Sequence, residues 1–215
     1  NNGYGGGHNV AIKEAIKEGS TYHLAINPDI WFGPRVIPAL LKYMDSHEDV
    51  AQMMPKVLFP NGQIQRLAKF LPTPLNIFGR AFLPPFLIKN MNDRFEMKHS
   101  GFTMTLNVPF LSGCFMFFRV SALKEINGFD ERFFLYAEDI DITRRLHKKY
   151  KTLYYPDFPV YHKFSRASHH SIRLFFVHII NIIRYFNKWG WIYDKERKEI
   201  NNRLERQILE GGIKD

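Results

Sequence analysis

Residues 128–145 read Gly-Phe-Asp-Glu-Arg-Phe-Phe-Leu-Tyr-Ala-Glu-Asp-Ile-Asp-Ile-Thr-Arg-Arg, and no other run constrains this chain as much. It opens on a glycine turn and passes into a helical pattern. Glu138, Asp139 and Asp141 therefore fall in a first helical turn, where the positive end of the helix dipole favours ionised carboxylates. Acids and aromatics crowded at such a junction form an active-site composition, and a carboxylate there suits a general base. An ordinary alternative stays open: Asp141 pairing with Arg145 four residues on, as at many acidic helix starts.

A second feature lies at residues 21–29, Thr-Tyr-His-Leu-Ala-Ile-Asn-Pro-Asp, a short apolar run of strand character ending in a polar tip. Ligands of open α/β sheets bind at strand tips. A carboxylate placed there, Asp29, suits a hard divalent cation such as Mg2+, which keeps its remaining sites for substrate phosphates. As a bare tripeptide, Asn27-Pro28-Asp29 also reads as a simple turn.

The chain has 215 residues, 45% of them hydrophobic, enough for one domain with a real core. Its single cysteine, Cys114, excludes an internal disulfide framework and sits in an apolar run, which points to a buried reduced thiol. The histidines have no zinc spacing. A net charge of +9 favours an anionic partner. Without a nucleic-acid motif or a dense basic run, nucleic acid is not expected, and anionic lipid headgroups or diphosphate-linked substrates remain.

Residues 34–48 predict an amphipathic helix opened by Pro34 that buries Val36, Ile37, Leu40, Leu41 and Met44. Residues 50–59 predict a strand, followed by an Asn61-Gly62 turn and a second strand at 63–67. Residues 70–110, rich in Pro and Phe, predict a loop and short-helix insertion. From Ile172 to Trp191 a broad apolar face carries Arg173, Arg184 and Lys188, an amphipathic pattern too interrupted to span a bilayer. That helix either lies on a membrane surface or packs on the core. Residues 194–210 are charged, with Ile200, Leu204 and Ile208 spaced by four, which reads as a solvated helix or a small association surface.

Taken in order, these pieces resemble the inverting family 2 glycosyltransferases of GT-A fold, closest to their bacterial rhamnosyltransferase-like branch. The matching elements are the loop Asn2-Gly3-Tyr4-Gly5-Gly6-Gly7-His8-Asn9 ahead of a helix, then Asn27-Pro28-Asp29 as a variant Asp-x-Asp motif. Leu111-Ser112-Gly113-Cys114-Phe115 follows, then the Gly-Phe-Asp-Glu turn with its Glu-Asp helix start, and Val160-Tyr161-His162 last. The resemblance spans roughly residues 1–170. It implies an α/β, Rossmann-like mixed sheet flanked by helices over residues 1–170, with residues 171–215 a basic, amphipathic helical extension. Family members open with a strand, a helix and a second strand that bind the nucleoside. Nothing of that kind precedes Asn1, so the nucleotide-binding half is expected to be incomplete and the chain alone to have little activity.

The resemblance also implies roles. Asp139 is the general base and Glu138 its acceptor-orienting neighbour. Asp29 and His162 meet a Mg2+ or Mn2+ ion. Asn9, Asn27, Gly113, Cys114, Tyr136, Asp141 and Arg166 lie on the substrate side. Tyr136 is open to a second reading as a core residue, and Arg166 to one as a plain surface cation. The implied partners are a nucleotide-sugar donor and a lipid-linked saccharide acceptor. The implied place is cytoplasmic, at the inner face of the plasma membrane, with peripheral membrane contact, and a homo-oligomer is left open. A non-catalytic remnant that binds a sugar or partner chain is the alternative.

Overall fold

A computed structural model describes residues 2–163 and 172–213, without the side chains of residues 80–82. Arg166 lies outside the described residues. The elements in chain order are α1 (Gly3–Lys17), β1 (Tyr22–Ile26), β2 (Ile30–Phe32), α2 (Val36–Ser46), β3 (Val50–Leu58), β4 (Ala68–Lys69), α3 (Pro74–Phe82) and α4 (Pro85–Phe95). They continue with β5 (Leu106–Asn107), β6 (Phe110–Leu111), β7 (Phe115–Arg119), α5 (Val120–Glu125), α6 (Glu138–His147), β8 (Lys151–His162), α7 (Ile172–Trp189) and α8 (Lys195–Leu209).

The central sheet has the order β1-β7-β3-β8-β2, with β5 added against β8, and β4 pairs β6 in a separate two-stranded ribbon. β3 and β8 run parallel while β1–β7, β3–β7 and β2–β8 are antiparallel, so the sheet is mixed. Helices flank it, as the GT-A resemblance implies. The pairing Ile26↔Phe115 sets the end of β1 beside the start of β7, and Ile30↔His162 sets the start of β2 beside the end of β8. The Asn27-Pro28-Asp29 turn therefore crosses one end of the sheet, and the functional motifs collect there.

β3 is buried along most of its length, as expected of a central strand covered on both faces. α2 buries Val36, Leu40 and Met44 on it, with Ile37 and Leu41 partly covered, the stripe that its spacing predicts. The second strand expected at 63–67 does not form. Only a Leu58↔Ile64 bridge survives, and Gln65 turns its side chain towards the end of β8 instead. α8 is no solvated helix: Leu204 and Ile208 join the main core, and Ile200 packs with Leu71, Ile182 and Phe186. Hence α7 and α8 share their apolar faces with the body of the fold.

Two residues assigned to substrate binding hold the scaffold instead. α1 begins within the glycine run, and that composition has a packing reason: a Cβ on Gly5 would stand 2.9 Å from the Phe129 Cβ. α1 thus lies directly on the Gly-Phe-Asp-Glu segment. Asn9, 6% exposed, locks the contact by accepting the Phe129 N–H at 2.8 Å and donating to the Phe129 carbonyl at 2.9 Å and to Glu131 at 2.9 Å. Both N–H donors of its amide are thereby spent on the scaffold. Gly128 follows the same logic, with φ +64 and the Asn9 oxygen 2.5 Å from where its Cβ would be.

Asp141 is the second correction. It is fully buried and accepts from Arg145 Nε at 2.7 Å and Trp189 Nε1 at 2.9 Å, with Lys188 Nζ at 2.6 Å. The expected Arg145 pair is thus real, and it belongs to a cluster that ties α6 to the end of α7. One turn on, the buried Arg144 grips Asp194 through two bonds of 2.9 Å and lies 4.1 Å from the centre of the Trp189 ring. Asp194 also caps α8 by accepting the Arg197 N–H.

Two outcomes follow for stability. Asn9→Ala orphans a buried donor and a buried acceptor on Phe129 and should cost about 2–4 kcal/mol in urea unfolding. Asp194→Ala should cost about 3–5 kcal/mol, because it removes the two-bond partner of the buried Arg144 charge and leaves it only the more exposed Glu196 at 3.0 Å. Burial raises the Asp194 carboxyl, but the Arg144 bonds and the Arg197 N–H outweigh it and hold the group below the usual carboxylate range. A depressed folded-state pKa contributes stability above the unfolded value that is lost as pH falls. Wild-type unfolding free energy should therefore drop as pH is lowered from about 5 through the acid range, and that drop should be smaller in Asp194→Asn.

Candidate active site

The segment between β6 and β7, Ser112-Gly113-Cys114, lies against the start of α6. The Gly113 N–H donates to Asp139 Oδ2 at 3.1 Å, and the Ile140 N–H donates to Asp139 Oδ1 at 2.8 Å. A Cβ on Gly113 would meet Asp139 at 3.5 Å, so glycine keeps the space over that carboxylate open. On the other side of Gly113, the Tyr4 hydroxyl donates to its carbonyl at 2.6 Å. Burial, then the charges of Glu138 and Asp139, push the Tyr4 hydroxyl far up, so it remains a donor.

α6 is entered through strained backbone. Tyr136 and Ala137 take φ of 70° and 67°, a left-handed pair that neither residue favours. α7 holds this entry: Asn181 donates to the Leu135 carbonyl at 2.7 Å, and the His178 ring stands edge-on to Tyr136 at 4.9 Å. The twist sets Glu138 and Asp139 at the floor of a cleft of about 370 Å3, walled by Lys69, Asn76, Phe110, Tyr136, His178 and Ile182. That size and mixed lining suit one or two sugar rings.

The two carboxyls differ in their surroundings. Burial raises both, and Glu138 is raised further by the charge of Asp139. Glu138 Oε2 is buried without a hydrogen-bond partner among the described residues, whereas Asp139 has two N–H donors and feels the Lys69 charge. Donors and a nearby cation stabilise the ionised form, while an unpartnered buried oxygen does not. The surroundings thus favour the protonated form at Glu138 and the ionised form at Asp139.

At the same end of the sheet, Asp29 Oδ1 and His162 Nε2 are 3.2 Å apart. The ring is oriented from behind by Gln65, whose Nε2 donates to the His162 carbonyl at 2.7 Å and whose Oε1 faces Nδ1 at 2.9 Å. Because that amide is fixed by its own donation, Oε1 must accept, so Nδ1 carries the hydrogen and Nε2 points at Asp29. Burial lowers the His162 pKa against the opposing pull of Asp29. A neutral ring then sets a nitrogen lone pair opposite a carboxylate oxygen, an arrangement that a divalent cation would reconcile. No third His, Cys, Asp or Glu joins them among the described residues, so a cation here would need its other ligands from elsewhere, such as phosphate and water.

The backbone joins the two centres. The Asn27 N–H donates to the Cys114 carbonyl at 2.9 Å, and the buried Cys114 thiol is pushed up to about 12, first by burial and further by the charges of both Asp139 and Asp29. The fold thus brings together Asn27, Asp29, Gly113, Cys114, Tyr136, Glu138, Asp139 and His162. It places Asn9 and Asp141 in the scaffold. Tyr4, Gln65 and Lys69 belong to the site but carry no local signal, since each meets it through contacts distant in sequence.

Comparison with known proteins agrees with this geometry. The model of the family described as "Glycosyltransferase like family 2" matches residues 5–177. The N-acetylglucosaminyl-diphospho-decaprenol L-rhamnosyltransferase of Mycobacterium tuberculosis (strain H37Rv) is 31% identical over 146 residues, 65% of this chain and 46% of that protein. Rhamnosyltransferase WbbL of Escherichia coli (strain K12) is 30% identical over 206 residues, 93% of this chain and 74% of that protein. The chain therefore spans about half the length of the mycobacterial relative and about three quarters of the other. With a family match over most of its length and the family's motifs gathered at one end of a mixed sheet, this chain belongs to the family 2 glycosyltransferases.

Proposed function

We propose that this chain carries the acceptor and cation sides of an inverting glycosyltransferase in bacterial surface polysaccharide synthesis. The donor is a nucleotide sugar, rhamnose being the first choice from the two rhamnosyltransferases it resembles. The acceptor is a lipid-linked saccharide at the cytoplasmic face of the membrane, by analogy with the diphospho-decaprenol named for the mycobacterial relative. The observation that carries this reading is Asp139, a carboxyl oriented by two backbone N–H donors in a sugar-sized cleft beside the unpartnered Glu138.

In this reading the acceptor hydroxyl gives its proton to Asp139 while its oxygen forms the bond to the anomeric carbon. The bond from that carbon to the diphosphate oxygen breaks on the opposite side, its electron pair leaves with the nucleoside diphosphate, and configuration inverts. Protonated Glu138 donates a hydrogen bond to the acceptor and so orients it. Against the burial that raises Asp139, the Gly113 and Ile140 N–H groups, and after them the Lys69 charge, favour its ionised form. His178, pushed down by burial, stays neutral in the cleft wall and adds no competing charge. No covalent nucleophile is needed, and the Cys114 thiol, protonated and buried, supplies none. Asp29 and His162 would hold Mg2+ or Mn2+, whose contribution when bound is to neutralise charge on the departing diphosphate.

The test is sugar transfer from a nucleotide-linked donor to a polyprenyl-diphosphate saccharide. Asp139→Asn should lower the rate roughly 10²–10⁴-fold, the usual worth of a positioned base. Glu138→Gln keeps the shape and donor of the protonated acid and should stay within about tenfold of wild type near neutral pH. The reverse ranking, with Glu138→Gln dead and Asp139→Asn active, would exchange the two roles. Full activity in both variants would remove the cleft from catalysis.

A further inference from the structure

Many of the exposed apolar side chains are on α7 and on α3 and α4. α7 shows Ile172, Phe175, Phe176, Ile180 and Ile183 to solvent, with Phe176 at 58% exposure, and α3 and α4 add Leu75, Leu83, Phe86 and Leu87. α3 and α7 are neighbours, because Asn76 and Ile77 face His178 and Ile182 across the acceptor cleft and Phe78 packs on Phe186. The opposite face of α7 is buried through Asn181, Ile182, Tyr185 and Phe186. Of the two readings of this amphipathic helix, packing on the core is seen on one side, and the other side keeps an apolar stripe exposed. No helix among the described residues is long and apolar enough to cross a membrane.

The stripe ends in a cationic cavity. One turn beyond Ile180 and Ile183, a cavity of about 380 Å3 is lined by Arg132, Phe133, Arg184, Asn187 and Lys188, and it shares no lining residue with the Glu138–Asp139 cleft. Asp130 is the carboxylate nearest these cations; it accepts from both Arg132 and Lys188 and is held well below the usual range, first by Arg132. The second partner of Lys188, Asp141, is already matched by Arg145. Arg184 spends one nitrogen on the Arg132 carbonyl at 2.7 Å and on Asn181, and no carboxylate among the described residues pairs with it. The cavity therefore keeps net positive charge directly beside an apolar track.

We infer that this cavity and stripe form a docking site for anionic phospholipid, with a lipid phosphate between Arg132, Arg184 and Lys188 and acyl chains against Ile183, Ile180 and Phe176. Charge complementarity selects the occupant: the apolar face alone fits any bilayer, but a cavity with unmatched guanidinium charge at its end fits a phosphate-bearing one. The inference rests on the lipid-linked-acceptor reading for its biological sense, since the stripe flanks the acceptor cleft, but its measurement uses no sugar.

Co-sedimentation of the whole chain with phosphatidylcholine vesicles, with and without phosphatidylglycerol, tests it. Phosphatidylglycerol should raise the partition coefficient roughly fivefold, at about 1 kcal/mol for the one unmatched cation near the surface. Arg184→Glu should remove that gain and Arg184→Lys should keep most of it. Phe176→Asp with Ile180→Asp, both exposed and outside the catalytic cleft, should weaken binding to both kinds of vesicle; thermal unfolding shows whether each variant is folded. Equal binding to neutral and anionic vesicles, or a folded Arg184→Glu that keeps the gain, overturns the proposal. Binding restored only by a trace of polyprenyl diphosphate in neutral vesicles also overturns it, by assigning the cavity to the acceptor. An Asp139→Asn variant that binds vesicles normally but does not transfer sugar separates this site from catalysis.

Discussion

The hydrogen bond from the Gly113 N–H to Asp139 joins the two halves of the site, and much of the fold is arranged around it. Gly113 belongs to the segment that leads into β7, whose start is registered against the end of β1; Asp139 belongs to the first turn of α6. Tyr4 holds Gly113 from the α1 side, and Asn27 holds Cys114 from the cation side. A carboxylate fixed by two backbone donors needs no rearrangement before it accepts a proton, which is the advantage of a preorganised base. Its neighbour Glu138 lacks such donors, and that contrast separates the two acids more than their positions do.

α6 is held from behind with comparable care. Its Glu138–Asp139 end faces the cleft, while Asp141, Arg144 and Arg145 on its other face bind Trp189, Lys188, Asp194 and the carbonyls of residues 126 and 128. Buried ion pairs add little net stability over apolar packing, but they fix geometry because removing one partner is costly. Here they lock α7 and α8 onto the helix that starts with the Glu-Asp pair. The strained Tyr136–Ala137 turn persists because α1, α6 and α7 all bear on it. A helix that leaves an apolar stripe exposed on one side thus braces the entrance of the Glu138–Asp139 cleft on the other.

Much of this was legible in the sequence where the signal is local. The acidic first turn of α6, the strand tip at Asp29, the buried stripe of α2 and the amphipathic pattern of α7 are all carried by residues within a few positions of one another. What stayed hidden is carried across the chain. Asn9 looks like a polar loop residue, and only its contact with Phe129, 120 positions away, shows that it pins a turn. Asp141 has a visible partner in Arg145 but takes its second and third from Lys188 and Trp189 on another helix. Gln65 sits in a stretch that reads as a strand, yet its side chain orients His162. The spacing by four of Ile200, Leu204 and Ile208 was visible, but charge on every other face of α8 made it read as solvated.

Asp29 and His162, the latter oriented from behind by Gln65, are the proposed cation ligands. Titration of Mn2+ into the chain in the presence of a nucleoside diphosphate, followed by electron paramagnetic resonance, tests that role most directly. Binding should be lost in Asp29→Ala and in His162→Ala, weakened roughly 10–100-fold in Gln65→Leu, and unchanged in Asp139→Asn. Mn2+ binding that ignores Asp29, His162 and Gln65 alike, in folded variants, would contradict the arrangement.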